Sequence, residues 1–201
     1  MFKGLLTGLL MLLLSLGSTR AAPDDLAARK ALVSLLSHGG YNLYIRHATT
    51  STHLMDQRPV VLSNCESQRN LSTQGRLDAR TIGQAFTRLG IPVGQVRTSP
   101  YCRCKDTAEL AFGRFEIDSQ LLFSFGLDKA RRDQASAYLA RELAKLPPAG
   151  RNQVLVSHSA NLDGATGVWP DTEGGVYVFR PQPEGGAEYL GVILPADWPT
   201  L

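Results

Sequence analysis

At 201 residues, 43% of them hydrophobic, the chain suits one domain with a sizeable core. Its formal net charge is +3, and no run of lysine and arginine interleaves with aromatic residues, so nucleic acid is not an expected partner. Three cysteines allow one disulfide and leave one thiol over.

The chain opens with Lys3, an apolar run from Gly4 to Leu16, and then Gly17-Ser18-Thr19-Arg20-Ala21-Ala22-Pro23. A charged start, a short apolar centre and a small-residue region have the form of a secretory signal, with cleavage expected near Ala21. The run is shorter than the roughly 20 apolar residues of a usual membrane span, so stable insertion is not expected after cleavage. Removing residues 1–21 takes away Lys3 and Arg20 and no acid, lowering the net charge from +3 to +1. Residues 22–201 are then expected to form a single periplasmic or secreted domain. Export places Cys65, Cys102 and Cys104 in an oxidising compartment. Residues two apart on a helix face different sides, so Cys65 is expected to pair with either Cys102 or Cys104. The usual zinc spacing is absent, and no metal is expected.

Asp24-Asp25 to His38 predicts a first helix, with acids in its first turn, Leu26, Leu32, Leu35 and Leu36 at helical spacing, and Gly39 closing it. His38 reads as a cation at a helix end. Tyr41 to Ile45 then fits a short buried strand that delivers Arg46 and His47 at its end. A polar loop from Thr49 to Asn70 shows no period, and His53 within it reads as a surface residue. Ser72 is the expected cap of a helix with Leu77, Ile82, Phe86 and Leu89 on its apolar stripe and Gly90 at its end. Ile91 to Gly94 reads as a turn and Gln95 to Thr98 as a strand.

Ser99-Pro100 predicts a cap and first helical position for a helix running to Phe112 and closed by Gly113. Phe115 to Ile117 is a further short strand, while Leu121 to Gly126 carries no clear signal. Asp128 to Leu146 is an amphipathic helix stopped by Pro147-Pro148. Asn152 to Ser157 is a second apolar run ending on a histidine, His158, and Asn161 to Gly167 is a short helix. Two strands, Gly174 to Arg180 and Ala187 to Leu194, close the chain around a Pro/Gly turn. Strands alternating with helices imply a mostly parallel sheet covered on both faces, a three-layer α/β/α sandwich.

In such sheets ligands collect beyond the carboxyl ends of the strands, where Arg46, His47 and His158 are expected. Arg103 falls in the first turn of a helix, where free N–H groups and the dipole favour an anion. Guanidinium forks bind phosphate oxygens in pairs, and a neutral histidine can attack phosphorus.

These residues resemble the signature of the histidine phosphatase superfamily, the phosphoglycerate mutase-like proteins. Its Arg-His-Gly element appears as Arg46-His47-Ala48, with Thr50 where the family often has Ser or Thr. Its Leu-Ser-x-x-Gly-x-x-x-Ala element appears as Leu71 to Ala79, and its Ser-Pro-x-x-Arg-x-x-x-Thr-Ala element as Ser99 to Ala108. Its late apolar run ending in histidine appears as Val154 to His158. The resemblance spans about Tyr41 to Phe179 and implies a phosphoglycerate mutase-like fold. It implies His47 as a nucleophile that becomes phosphohistidine, with Arg46, Arg103 and His158 holding the phosphoryl oxygens. Thr50 and Ser159, which follow the two histidines closely, are the implied substrate contacts, and no cofactor is required. The implied activity is hydrolysis of a small phosphorylated substrate by an exported phosphatase. A phosphate-binding module with little turnover and a phosphomutase are the alternatives. Ala48 departs from the family glycine, and Ser159-Ala160 stand where one branch has an acid. Glu66, Asp128, Asp163 and Glu173 are the candidates for that proton donor.

Overall fold

A computed structural model of the chain describes residues 25–201. The expected signal segment, its cleavage point and Asp24 lie outside those residues.

Two apolar runs form the middle of the sheet because they are buried on both faces. Leu43, Tyr44 and Ile45 of β1 (Asn42–Arg46) and Val154, Leu155 and Val156 of β4 (Asn152–Ser157) are all 0% exposed, as central parallel strands should be. The remaining strands are β2 (Val93–Thr98), β3 (Glu116–Ile117), β5 (Val176–Pro181) and β6 (Ala187–Ile193), in the order β3-β2-β4-β1-β5-β6. The pairs β1–β4, β2–β4 and β2–β3 are parallel, and β5 and β6 close the far edge antiparallel. The expected mostly parallel α/β/α sandwich is the observed architecture.

Alternation along each strand sends its side chains into two cores. Leu43, Ile45, Val154 and Val156 pack with Leu32 and Leu36 of α1 (Asp25–Leu36), Ile82 and Phe86 of α2 (Thr73–Arg88) and Ala108 of α3 (Cys102–Phe112). Tyr44 and Leu155 face the other way, onto Leu139 and Leu143 of α4 (Lys129–Ala144) and Leu162 of α5 (Ser159–Thr166). Each fully buried Leu, Ile or Val contributes about 1.5–3 kcal/mol.

The two edges of the sheet are used differently. At the amino end of β1, the Asn42 amide donates to the carbonyls of Leu143 and Lys145, satisfying the end of α4. Asn152, at the amino end of β4, does the same for Leu36 of α1 and for Pro92. These buried amides supply what the last helical carbonyls lack. The opposite edge carries the histidines.

Local readings that the structure corrects have local reasons. Leu77 is 53% exposed, since Gly75, Ala79, Ile82 and Phe86 are the positions that share the inner face of α2. Leu26 is also exposed, two turns ahead of the Leu32/Leu36 contact. Val93 and Gly94 belong to β2, paired from Val93 to Asn152, not to a turn. Ser99 does not cap α3, whose N-cap is Tyr101 with no side-chain bond. Ser72 does cap α2, its hydroxyl accepting the Gly75 N–H at 3.0 Å. Gly75 itself is required there, because a Cβ would lie 1.9 Å from the Thr49 carbonyl oxygen. Cys65 pairs with Cys102, and Cys104 is a buried free thiol turned toward β4, 3.7 Å from the Ser157 carbonyl.

Candidate active site

Strand register brings the two histidines together. Arg46 of β1 lies opposite Ser157 of β4, so the next residues, His47 and His158, leave the sheet side by side. The ladder continues one step past the strands: the His47 N–H donates to the Ser157 carbonyl at 2.9 Å, and the Ser99 N–H to the Val156 carbonyl at 2.9 Å. The imidazoles meet edge to face with centroids 5.4 Å apart. His47 is 2% exposed and His158 1%, so the meeting point is buried.

The protonation of His47 follows from its neighbour. Its Nδ1 lies 3.1 Å from the Ala48 carbonyl oxygen, which can only accept, so Nδ1 carries the hydrogen and Nε2 keeps its lone pair. Burial, and then the charge of Arg103, hold the His47 pKa well below its ordinary value. The same two causes act in the same order on His158, with His47 itself adding to them. Both imidazoles are therefore neutral near pH 7. The Nε2 of His158 is 2.9 Å from the Ser99 hydroxyl, the use this serine has in place of capping. Its backbone is pinned from below by the Tyr44 hydroxyl, which donates to the His158 carbonyl at 2.6 Å. The Cys104 thiol, 3.6 Å from Nε2, is pushed by burial up to about 12 and stays protonated.

Two arginines adjoin this pair. Arg103, 1% exposed, lies with its guanidinium carbon 4.3 Å from the Tyr101 ring centroid and 5.8 Å from that of Phe123. Its Nη1 donates to Asp56 Oδ1 at 3.0 Å and to the Arg69 carbonyl at 3.4 Å. Arg46 donates through Nη1 to the carbonyls of Pro170 and Asp171 and through Nη2 to Glu173 Oε1 at 3.1 Å. In both guanidinium groups Nε is buried and has no acceptor among the described residues. A buried donor without an acceptor is costly, about 1–3 kcal/mol, and an anion removes that penalty. Arg97 also has a spare buried Nε, but Asp118, Tyr138 and Glu142 surround and neutralise it away from the histidines.

Glu173 organises the other side of the nucleophile. Its carboxylate accepts the Thr50 N–H at 2.8 Å and the Thr50 hydroxyl at 3.1 Å, and Arg69 Nη2 approaches it at 3.5 Å. The same carboxylate is 4.0 Å from His47 Nδ1. It therefore backs the hydrogen-bearing nitrogen and fixes Arg46.

The structure thus brings Arg46, His47, Arg103 and His158 into one cluster, in which the two histidines and Arg103 are buried and Arg46 is partly buried. Thr50 adjoins it, with its N–H and hydroxyl engaged by Glu173, and Ser159 begins α5 directly after His158. Of the candidate acids, only Glu173 is at the site. Asp128 caps α4, Glu66 is exposed in a 3-10 turn, and Asp163 is exposed on α5. Among the described residues no group of three or more His, Cys, Asp and Glu is placed to hold a metal ion. The sequence reading missed Asp56 and Arg69. Both stand in the aperiodic loop, where only the presence of charged residues after Arg46-His47 marked them.

No protein-family description matches the chain, and no curated protein sequence matches it. Solved structures do. The protein histidine phosphatase SixA, complexed with tungstate, superposes with a TM-score of 0.55 at 15% identity, covering 78% of this chain and 98% of that one. A phosphoserine phosphatase from Entamoeba histolytica, complexed with phosphoserine, gives 0.57 at 14% identity over 78% and 98%. A mycobacterial glucosyl-3-phosphoglycerate phosphatase gives 0.53 at 14% over 75% and 97%. The fold is that of the phosphoglycerate mutase-like histidine phosphatases.

Proposed function

We propose that this chain is a histidine phosphatase that hydrolyses a phosphomonoester through a phosphohistidine on His47. The observation that carries the reading is a buried, neutral imidazole with a free Nε2 beside two guanidinium groups that each keep an unpartnered buried N–H. The Nε2 lone pair attacks phosphorus, the P–O bond to the leaving group breaks, and the leaving oxygen takes up a proton from solvent. The product is an N-phosphorylated imidazolium whose Nδ1–H faces the Ala48 carbonyl and the Glu173 carboxylate. Water then attacks phosphorus, returns a proton to solvent and displaces Nε2, releasing inorganic phosphate. Arg46 and Arg103 supply charge to the phosphoryl oxygens throughout, which is the main catalytic need in phosphoryl transfer. The solved neighbours include proteins described as phosphatases, which favours hydrolysis over transfer between acceptors.

The test is turnover of p-nitrophenyl phosphate by wild type and His47→Ala, with acid quench of the wild type to trap protein-bound phosphate. Turnover by wild type, its loss in the variant and an acid-labile phosphoprotein are expected. Equal rates in the two proteins refute the assignment.

Export is part of the proposal. It is supported by the charged, apolar, small-residue order of residues 1–21 and by the Cys65–Cys102 bridge, since disulfides persist in oxidising compartments. Mass spectrometry of the mature N-terminus is expected to find a start near Ala22. Recovery of a chain starting at Met1 from the cytoplasm contradicts it.

A further inference from the structure

Resting on that reading, we propose that Asp56 is the positioning residue for Arg103, holding one end of its guanidinium so that the other end meets the phosphoryl group. The connection between β1 and α2 is far longer than the usual few residues and contains only a 3-10 turn at Cys65–Ser67. Such long connections in a small domain are usually functional.

This one is tied down at every level. At its base Thr50 bridges to Leu71, and Ser51 donates to the Asn70 carbonyl. Near its middle the Gln57 N–H donates to the Ser67 carbonyl at 2.8 Å. Its far end is joined covalently to α3 by Cys65–Cys102, one residue before Arg103. The Gln68 side chain adds a second tie, accepting the Cys102 N–H at 2.9 Å. Asp56 is held in turn by the Arg69 N–H, at 2.8 Å from Oδ1. The bridge and Gln68 thus fix the loop against the very turn of helix that carries Arg103.

The pairing is specific. Each arginine has its own carboxylate: Glu173 on Arg46, Asp56 on Arg103. Glu173 is occupied by Thr50, Arg46 and Arg69, leaving Asp56 as the acid that meets Arg103. Among the described residues the acceptors of the Arg103 guanidinium, Asp56 and the Arg69 carbonyl, all sit on Nη1. A guanidinium clamped at Nη1 presents its Nε–Nη2 edge, the pair that matches two phosphoryl oxygens. Removing the clamp leaves the charge in place but loosens its direction, with only the Arg69 carbonyl and the Tyr101 and Phe123 rings still holding it, and direction matters most where charge develops in the transition state.

The experiment is a double-mutant cycle of Asp56→Asn and Arg103→Lys, read by p-nitrophenyl phosphate kinetics and by inhibition with vanadate and with inorganic phosphate. Asp56→Asn is expected to lower kcat about tenfold and to weaken vanadate by a similar factor. Inorganic phosphate should change by less than about threefold, because a ground-state anion depends less on the direction of the guanidinium than the transition-state-like vanadate adduct does. A merely structural role weakens both anions alike, and that outcome overturns the proposal. In the Arg103→Lys background, Asp56→Asn should add less than about twofold; an undiminished loss there means Asp56 acts without Arg103 and also overturns it. Asp56→Glu, which keeps the charge, is expected to regain most of the vanadate affinity, and its failure to do so counts against the clamp. A wild type that neither hydrolyses the ester nor binds vanadate defeats the phosphatase reading and this one together. A wild type that does both, matched by Asp56→Asn within about twofold, defeats this one alone.

Discussion

Lowering the pH from about 7.5 to about 5 should destabilise the folded chain by up to roughly 4 kcal/mol through His47 and His158. Both have pKa values depressed in the native state, first by burial and next by Arg103. Their contribution to stability is therefore complete above the unfolded value of about 6.5 and is lost as pH falls toward their native values. An unfolded histidine gains roughly 2 kcal/mol from protonation at about pH 5, while one held neutral in the fold gains nothing, so the pair gives at most about 4. That is a large part of the roughly 5–15 kcal/mol available to a domain. Denaturant unfolding at the two pH values measures the sum, and stopping at about pH 5 keeps most carboxylates ionised. The same pair of curves for His158→Gln isolates one member and should show about half the change. Identical pH dependence in wild type and His158→Gln would refute the argument, since His158 would then titrate alike in both states.

The remaining predictions concern the same framework. Arg103→Lys replaces a planar fork by a single ammonium and should lower kcat/KM by about 10²–10³, measured with p-nitrophenyl phosphate. Reducing the Cys65–Cys102 bridge, or Cys65→Ser, releases a loop closed across a separation of 37 residues. On the chain-entropy account that loss is about 4 kcal/mol in denaturant unfolding, with kcat falling as Asp56 and Arg69 lose their anchor. Gly75→Ala places a methyl group 1.9 Å from the Thr49 carbonyl oxygen and should lower stability by about 1–3 kcal/mol and slow turnover through the displaced Thr50–Glu173 contact. Tyr44→Phe removes the buried hydroxyl that holds the His158 carbonyl and should reduce stability by about 1–2 kcal/mol in the same assay.

Much of the site was legible because its signals are local. An apolar run ends where the sheet ends, so Arg46, His47 and His158 could be assigned to one edge from β-strand patterning alone. Arg103 could be assigned to a first helical turn from Ser99-Pro100, even though the cap proved to be Tyr101 and Ser99 serves His158 instead. The Cys65 partner stayed open between Cys102 and Cys104 because helical spacing says only that they face different ways. Which faces the loop depends on how α3 lies on β4.

The chain order of strands, helices and caps was a property of the sequence, because each depends on residues within a few positions of one another. The tertiary structure decided the rest. The pairing of Arg46 with Ser157 makes two distant histidines neighbours, and burial beside Arg103 keeps them neutral. The bridge from Cys65 to Cys102 turns an aperiodic loop into a wall that delivers Asp56 and Arg69. No periodicity encodes those contacts, since hydrogen bonds and charges between segments far apart in the chain exist only once the fold has set their distance.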